Sequence, residues 1–198
     1  MSDVPSGRGV RADARRNRER VLQAAQTVFA KQGLSAQMQD VAQQAGVGLG
    51  TVYRHFPTKE RLAAELVSAG FDRMTTQALH ARDEPGDAWD RLVAALRANL
   101  ADLAADAGTR AAMAGGVAVD LDHGEPARLR HRAALDALLA DARAEGAVHD
   151  DFQVDDLGMM LCGMSAAMDS RSDVGWERQL RFVLRGIRAV GAGPGAAE

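Results

Sequence analysis

Apolar positions along this chain recur at helical spacing, and alternation with a period of two is nearly absent. The first clear stripe runs along one side of a helix that we expect to end at Gly33 in a left-handed conformation; it contains Val21, Leu22, Ala25, Val28 and Phe29. Alanine, leucine and arginine are frequent, whereas aromatic residues make up only 4%. The pattern therefore predicts an all-α fold.

Glycine, proline and capping residues divide the rest of the chain into further helices. Two short helices are expected at 37–44 and 48–55, and Thr58, following Pro57, is placed to cap a longer helix over 59–80. Further helices are predicted at 87–106, 109–119, 125–145, 154–170 and 174–190. The predicted organisation is a disordered basic arm (1–13), a small N-terminal domain (14–62), a larger helical domain (63–190) and a flexible tail (191–198).

The two short helices carry the residue types that a helix-turn-helix requires. Ala42 is small enough for a close helix crossing, Gly46 can adopt the positive φ of the tight turn, and Val52 fills the space between the helices. Val41, Ala45 and Val47 complete the apolar seam. The N-terminal domain is therefore predicted to contain a three-helix helix-turn-helix unit.

In such a unit the second helix enters the major groove of DNA. The surface that would meet the duplex comprises Gly48, Leu49, Gly50, Thr51, Tyr53, Arg54 and His55. Thr51 offers a hydroxyl and a methyl group to base edges, whereas Tyr53, His55 and Lys59 carry polar tips suited to phosphate. Lys59 also begins a helix, where the backbone N–H groups favour an anion.

The distribution of charge supports this interpretation. The net charge is −3, but residues 1–62 contain ten lysines and arginines against five acidic residues, and residues 63–198 contain fourteen against twenty-two. A basic N-terminal region on an acidic body is typical of a DNA-binding protein, although an uneven surface without function remains an alternative.

The segment from about residue 18 to 62 resembles the DNA-binding region of the TetR family of bacterial regulators. The matching residues are Val41-Ala42, Gly46-Val47, Gly50-Thr51-Val52-Tyr53-Arg54-His55-Phe56 and Lys59-Glu60. The resemblance implies an Ω-shaped homodimer, a palindromic double-stranded operator and a repressor released by a small-molecule ligand. Gly48 and Gln37 depart from the family pattern, which often has Ser or Thr at the first position and Thr, Ser or Pro at the second.

Several of these assignments have alternatives. Tyr53 could be a core aromatic with its hydroxyl in water, His55 a spacer before the core residue Phe56, and Arg54 a solvated side chain. The arm arginines could lie in the minor groove or screen phosphates; they are Arg8, Arg11, Arg15 and Arg16.

The last two predicted helices carry apolar stripes that we expect to form the homodimer interface, as the resemblance implies, with a packed core as the alternative. The stripes contain Leu157, Met160, Leu161, Met164 and Met168, and then Leu180, Val183, Leu184 and Ile187. Gly158 and Gly163 would allow close helix contact.

A ligand site for a small apolar molecule is expected in the larger domain, because adaptable thioether and aromatic side chains suit such binding. The candidates are Phe71, Met74, Trp89, Met113, Val117, Met159 and Cys162, with Leu92 and Leu121 as further lining residues. Asp120, Asp169 and Arg110 could orient a ligand. Each candidate could instead be core or solvent-exposed, and a domain that only dimerises or binds a protein partner is the alternative function.

Other functional classes find little support. No G-x-S-x-G, G-x-x-x-x-G-K or H-E-x-x-H motif occurs, so we expect neither an enzyme nor a cofactor. His123, His131 and His149 lack metal-ligand spacing, which predicts no metal site. No apolar run is long enough to cross a membrane, no secretory signal is present, and the single cysteine is Cys162. A cytoplasmic location is therefore expected.

Overall fold

The computed structural model of this chain describes residues 7–114, 121–168 and 175–189. Within these ranges the fold is all-α, as the sequence predicted, with an isolated β-bridge between Val148 and Arg188 as the only extended pairing. The helices are α1 (Gly7–Gln32), α2 (Met38–Ala45), α3 (Leu49–His55), α4 (Lys59–Asp83), α5 (Ala88–Ala105), α6 (Ala107–Ala114), α7 (Leu121–Ala144), α8 (Val154–Ala167) and α9 (Trp176–Ile187). A 3₁₀ turn, Gly33–Ser35, follows α1.

The largest difference from the predicted boundaries lies at the start of the chain. Helix α1 begins at Gly7, inside the segment that was expected to be a disordered arm, and continues to Gln32. Alanine and arginine have high helix propensity, and no proline follows Pro5 until Pro57. Gly33 adopts the predicted left-handed conformation, with φ of 60°. Residues 1–6 and the predicted tail at 191–198 lie outside the described residues.

The chain divides into two compact units. The first, which we call the head unit, comprises the described residues up to Val67 together with those from Asp106 to Gly124. Its core is formed by fully buried apolar side chains of α1 to α4, including Val21, Ala25, Phe29, Val52, Phe56 and Leu62. The apolar stripe predicted for α1 is therefore the face on which the short helices pack.

Helix α6 belongs to the head unit, although the sequence-based division placed residues 107–114 in the larger domain. It crosses α1 so closely that a Cβ atom at Gly108 would lie 2.1 Å from the backbone oxygen of Gln26. Asp106 caps the helix by accepting hydrogen bonds from the backbone N–H of Thr109 at 2.9 Å and from its hydroxyl at 2.7 Å. Only glycine allows this approach of two helix backbones.

The second unit, which we call the body unit, comprises Ser68–Ala105 and the described residues from Glu125 onward. Helices α5 and α7 supply most of its core through leucines at helical spacing; these are Leu92, Leu96, Leu100, Leu135, Leu138 and Leu139. Helices α8 and α9 pack on this core with Leu157, Leu180 and Leu184. Part of α4 belongs to this unit and the rest to the head unit, because the division falls after Val67.

Candidate functional site

Helices α2 and α3 form the predicted helix-turn-helix. Val41, Ala42 and Val52 are buried between them. Gly46 takes φ of 63° and ψ of 38°, the left-handed conformation expected for the turn. The N–H of Val47 donates to the carbonyl of Ala42 at 3.1 Å, and the N–H of Gly46 donates to that of Gln43 at 3.1 Å, which closes α2 as a Schellman motif. The turn thus rests on the glycine at position 46.

One face of α3 is open to solvent. Leu49 is 39% exposed and Tyr53 is 47% exposed, and Arg54 is exposed beside them. A Cβ atom at Gly48 or Gly50 would meet nothing within 4 Å, so the backbone itself is accessible at the start of the helix. Thr51 and His55 are half-buried at the edges of this face. The seven residues that the sequence placed on the recognition surface are thus brought together on one short helix.

The exposure decides one of the open alternatives. Tyr53 is not a core aromatic, because nearly half of its surface is exposed, whereas Phe56 is buried as expected. The His55 ring lies 6.4 Å from that of Phe56, centroid to centroid, and phosphate contact by His55 stays a prediction. Gly48, in extended conformation at the N-cap, supplies no side-chain hydrogen bond, as its departure from the family pattern implied.

Lys59 has a structural role that the sequence did not reveal. Its ammonium group donates to the carbonyl of Leu34, and to that of Ala36 at 3.3 Å, so that the start of α4 is tied to the segment entering α2. These partners lie 23 and 25 residues away in sequence, and no local pattern indicates them. Phosphate contact by Lys59 stays a prediction, now for a side chain that already holds two carbonyl oxygens.

Two arginines of α1 also contact the elements that hold the recognition helix α3 in place. Arg20 donates to the carbonyl of Ala45 at 2.7 Å, next to the turn of the helix-turn-helix. Arg18 pairs with Glu65 on α4, and its guanidinium lies 5.3 Å from the centroid of the Phe56 ring. Both side chains hold α1 against neighbouring elements of the head unit, which accounts for part of the positive charge of this region.

The arm arginines are placed only in part. Arg15 and Arg16 are exposed on α1 and pair with Glu19 and Asp13 of the same helix. The side chains of Arg8 and Arg11 lie outside the described residues. Contact of these arginines with the minor groove or with phosphates stays a prediction.

Comparison with known proteins agrees with this geometry. Residues 21–66 match the profile described as bacterial regulatory proteins of the tetR family, and residues 84–189 match the C-terminal domain of SbtR-like transcriptional regulators. The chain belongs to the TetR family. The second profile alone spans more than half of the chain, and the first coincides with the helices of the head unit that form the helix-turn-helix.

Solved structures and curated relatives extend the comparison. A TetR regulator from Mycobacterium vanbaalenii is 34% identical, with 91% of this chain and 99% of that chain covered and a TM-score of 0.62. A regulator from Bacillus subtilis, FadR, solved in complex with stearoyl-CoA, is 18% identical, with 84% and 95% covered and a TM-score of 0.71. HTH-type transcriptional regulators from Staphylococcus aureus are 32% identical over 76 residues, which cover 38% of this chain and 41% of the relative. The matched region is thus less than half of these curated relatives.

The predicted ligand residues are scattered. Met74 is buried in the body unit, where Phe71 and Trp89 are half-buried. Met113 lies on α6 in the head unit, as does the buried Arg110. Val117, Asp120 and Asp169 lie outside the described residues.

Two ligand assignments need correction. Met159 is 77% exposed and Cys162 is also exposed on α8. Helix α8 turns Leu157 and Met164 into the core, and successive residues rotate by about 100° around a helix, so positions 159 and 162 lie on the opposite side. In the described chain these two side chains do not line an interior site.

The same rotation corrects the predicted dimer stripes. Leu157, Met164, Leu180, Leu184 and Ile187 are buried in the core of the body unit. The apolar residues that remain exposed are Met159, Met160 and, on α9, Phe182, which is 58% exposed. Gly158 and Gly163 are open, because a Cβ atom at either would meet nothing within 4 Å. The core alternative therefore holds for these five residues, and the exposed face of α8 lies on the side opposite Leu157 and Met164.

The body unit contains a polar pair that the sequence analysis missed. Asn99 on α5 is 1% exposed, and its Nδ2 lies 2.8 Å from Nε2 of His131 on α7. Burial lowers the pKa of His131 from its ordinary value of 6.5 to about 4, so the ring is neutral at physiological pH. The centroid of the Phe71 ring lies 5.6 Å from that of His131. Asn99 breaks the apolar run of α5, and this was the signal available in the sequence.

No helix in the described part of the chain is both long and apolar enough to cross a lipid bilayer. No group of three or more histidine, cysteine, aspartate or glutamate side chains with the arrangement of a metal site occurs there.

Proposed function

We propose that this chain is a transcriptional repressor that binds a palindromic operator as a homodimer and is released by a small molecule. The observation that carries the DNA-binding part is the open face of α3, with Leu49, Tyr53 and Arg54 exposed on a helix whose opposite side is buried against α2. Gly48 and Gly50 leave room for the backbone to approach base edges, and Thr51 supplies the hydroxyl and methyl group for base contact.

The assignments within this face are separable by experiment. Tyr53→Phe removes one hydroxyl and keeps the ring, so affinity for every DNA sequence should fall by about fivefold to tenfold if that hydroxyl binds phosphate. Thr51→Ala should instead relax the sequence preference. Thr27→Ala is the matched control, because the Thr27 hydroxyl donates to the carbonyl of Gln23 within α1, at 3.2 Å.

Selection from random duplexes measures the sequence preference. Fluorescence anisotropy at several salt concentrations then measures the affinity. We expect an inverted repeat and an affinity that falls steeply with salt. A salt slope near zero, or a selected profile that Thr51→Ala leaves unchanged, would contradict the assignment of this face.

Homodimerisation is proposed through α8 and α9. Helix α8 has no charged residue after Asp156, and it exposes Met159 and Met160 next to open glycines. An exposed apolar face of this kind favours burial against another surface, and small residues allow two helices to approach closely. The family resemblance supports a second copy of this chain as the occupant.

Sedimentation analysis of Met159→Glu tests this proposal. Met159 is so exposed that the substitution should leave the fold intact, while an acidic group in a dimer interface should weaken association by at least tenfold. Leu129→Glu, at a half-exposed leucine on α7, is the control for adding an acid at an apolar surface position. A Met159→Glu dimer as tight as the unaltered one would place the interface elsewhere.

Release by a ligand is proposed to act through α4. This helix is continuous from Lys59, beside the recognition helix, to the region of Phe71 and Met74. A ligand shifts such a protein only if it binds one state of the dimer more tightly than the other. FadR from Bacillus subtilis, of the same fold, is bound to stearoyl-CoA in its solved structure, which supports a sensor role for this domain. If the two recognition helices of the dimer lay equally far apart in crystals of the free, liganded and operator-bound protein, this role of α4 would be refuted.

A further inference from the structure

The interior of the body unit is mainly apolar. Among the described residues of this unit, Asn99 and His131 are the only polar residues buried as a whole, and single buried atoms of Gln77 and Arg91 add to them. They face each other from α5 and α7, and leucines lie one helical turn from each of them on the same helix face; these are Leu96, Leu103 and Leu135. A polar pair in such a place costs stability unless each of its hydrogen-bonding groups is satisfied.

One of these groups has no partner. Asn99 Nδ2 donates to His131 Nε2, but the amide oxygen Oδ1 is buried and accepts no hydrogen bond. Apolar side chains at both positions would suit this part of the core and leave no hydrogen-bonding group unpaired. The buried, unpaired amide oxygen therefore points to a hydrogen-bond donor that is brought by another molecule.

The surroundings limit the chemistry of that molecule. The His131 ring is neutral, and the charged side chains nearest in sequence lie at the surface: Arg97 is exposed, Asp102 accepts from Arg73 at 3.1 Å, Arg130 pairs with Asp72 and Arg132 with Asp155. A charged ligand group would find no buried counter-charge at the pair. The Phe71 ring, beside His131, adds an apolar wall.

A hydroxyl group fits this position better than a carbonyl or an ether oxygen. It can donate to Asn99 Oδ1 through its O–H. An ether oxygen can only accept, so it would leave Oδ1 unpaired.

We infer that Asn99 and His131 form the hydrogen-bonding end of the sensor site, and that this site takes an uncharged, mainly apolar molecule bearing a hydroxyl group. The inference rests on the proposed function, because it names the ligand class of the proposed ligand-responsive domain. The hydroxyl satisfies the amide oxygen, and the remainder of the molecule is buried against the leucines and Phe71.

Two isomeric probes separate the hydroxyl from general apolar binding. 1-Octanol and heptyl methyl ether have the same atoms, but only the alcohol donates a hydrogen bond. In calorimetric titrations of the full-length protein without DNA, we expect the alcohol to bind about tenfold more tightly than the ether, the difference made by one hydrogen bond in a buried site. Octanoate, which is charged, should bind more weakly than the alcohol.

Nuclear magnetic resonance locates the binding. The chain contains two asparagines, Asn17 and Asn99, so the side-chain amide of Asn17 is an internal control for that of Asn99. The alcohol should shift the Asn99 amide signal and leave that of Asn17 in place. Alcohol binding without a shift at Asn99, equal affinities for the two isomers, or no binding of the alcohol would overturn the inference.

A double variant gives an independent test. Asn99→Leu with His131→Phe replaces both partners by apolar groups of similar shape, so the fold should survive. Its preference for the alcohol over the ether should fall to within about twofold. An unchanged preference would overturn the inference.

Operator affinity measured with and without 1-octanol separates the two proposals. If the alcohol binds at Asn99 and the operator affinity is unchanged, the ligand class stands and ligand release fails. If the operator binds and the alcohol does not, the ligand class fails and the DNA-binding function stands.

Discussion

The head unit and the body unit differ in how their polar side chains find hydrogen-bond partners. In the head unit, Arg20 and Lys59 donate to backbone carbonyls, and Asp106 caps α6. In the body unit, Gln77 Oε1, Arg91 Nε and Asn99 Oδ1 are buried without a hydrogen-bond partner, and they are the only buried side-chain atoms of the described residues that lack one. The head is built as a fixed support for α3, whereas the body keeps hydrogen-bonding capacity in its interior.

The difference fits the two tasks that we propose. A surface that reads DNA must hold its side chains in one geometry, and satisfied polar contacts provide this rigidity. A sensor must gain free energy when its ligand arrives, and an unpaired buried group provides such a gain. Three measurements test this contrast between the two units.

The largest effect is expected at the crossing of α6 and α1. Gly108→Val would place side-chain atoms on the backbone of Gln26, so the free energy of unfolding should fall by about 3 kcal/mol or more. Urea denaturation of the full-length protein measures this change. Gly186→Ala is the control, because its Cβ would meet nothing within 4 Å and alanine favours the helix. Equal stability of Gly108→Val and the unaltered protein would show that α6 is not fixed to the head.

A smaller effect is expected from acid in the body unit. The folded state holds His131 with a pKa of about 4, whereas the unfolded chain has the ordinary value of 6.5, so below pH 6.5 the unfolded state binds the extra proton. This contribution to stability is complete above about pH 6.5 and declines as the pH falls towards 4. Between pH 6.5 and 5 the loss of stability should amount to about 2 kcal/mol.

Urea denaturation at a series of pH values measures this loss, and the variant with Asn99→Leu and His131→Phe should lack it. If the two proteins lost stability in parallel as the pH fell, the His131 ring would be accessible to protons and the contrast between the units would weaken.

The smallest effect concerns Lys59. Lys59→Met keeps most of the aliphatic chain and removes the hydrogen bonds to the carbonyls of Leu34 and Ala36, so the free energy of unfolding should fall by about 1 to 2 kcal/mol. Lys31→Met, at an exposed lysine near the end of α1, should change it by less than about 0.5 kcal/mol. Thermal or urea denaturation would compare them. If Lys59→Met were as stable as Lys31→Met, the two hydrogen bonds of Lys59 would add nothing to stability. Phosphate contact would then be the remaining role of the Lys59 ammonium group.

Much of the recognition helix could be predicted because its determinants are local. Gly46 must take a positive φ, Ala42 and Val52 stand at fixed spacing around it, and the residues between Gly48 and His55 then share one short helix. Helix α8 could not be predicted in the same way. Its residues are apolar on several faces, so spacing alone did not decide whether Leu157 or Met159 would be buried.

The sequence by itself determined the helices, the helix-turn-helix and the family, since these depend on residues within a few turns of one another. The tertiary structure decided which faces are buried and which distant groups meet: Lys59 with the carbonyl of Leu34, Arg18 with Glu65, and Asn99 with His131. These partners are 25, 47 and 32 residues apart, and their meeting depends on how whole helices pack. Periodicity specifies that a helix has an apolar face, and only packing specifies what that face and its polar exceptions contact.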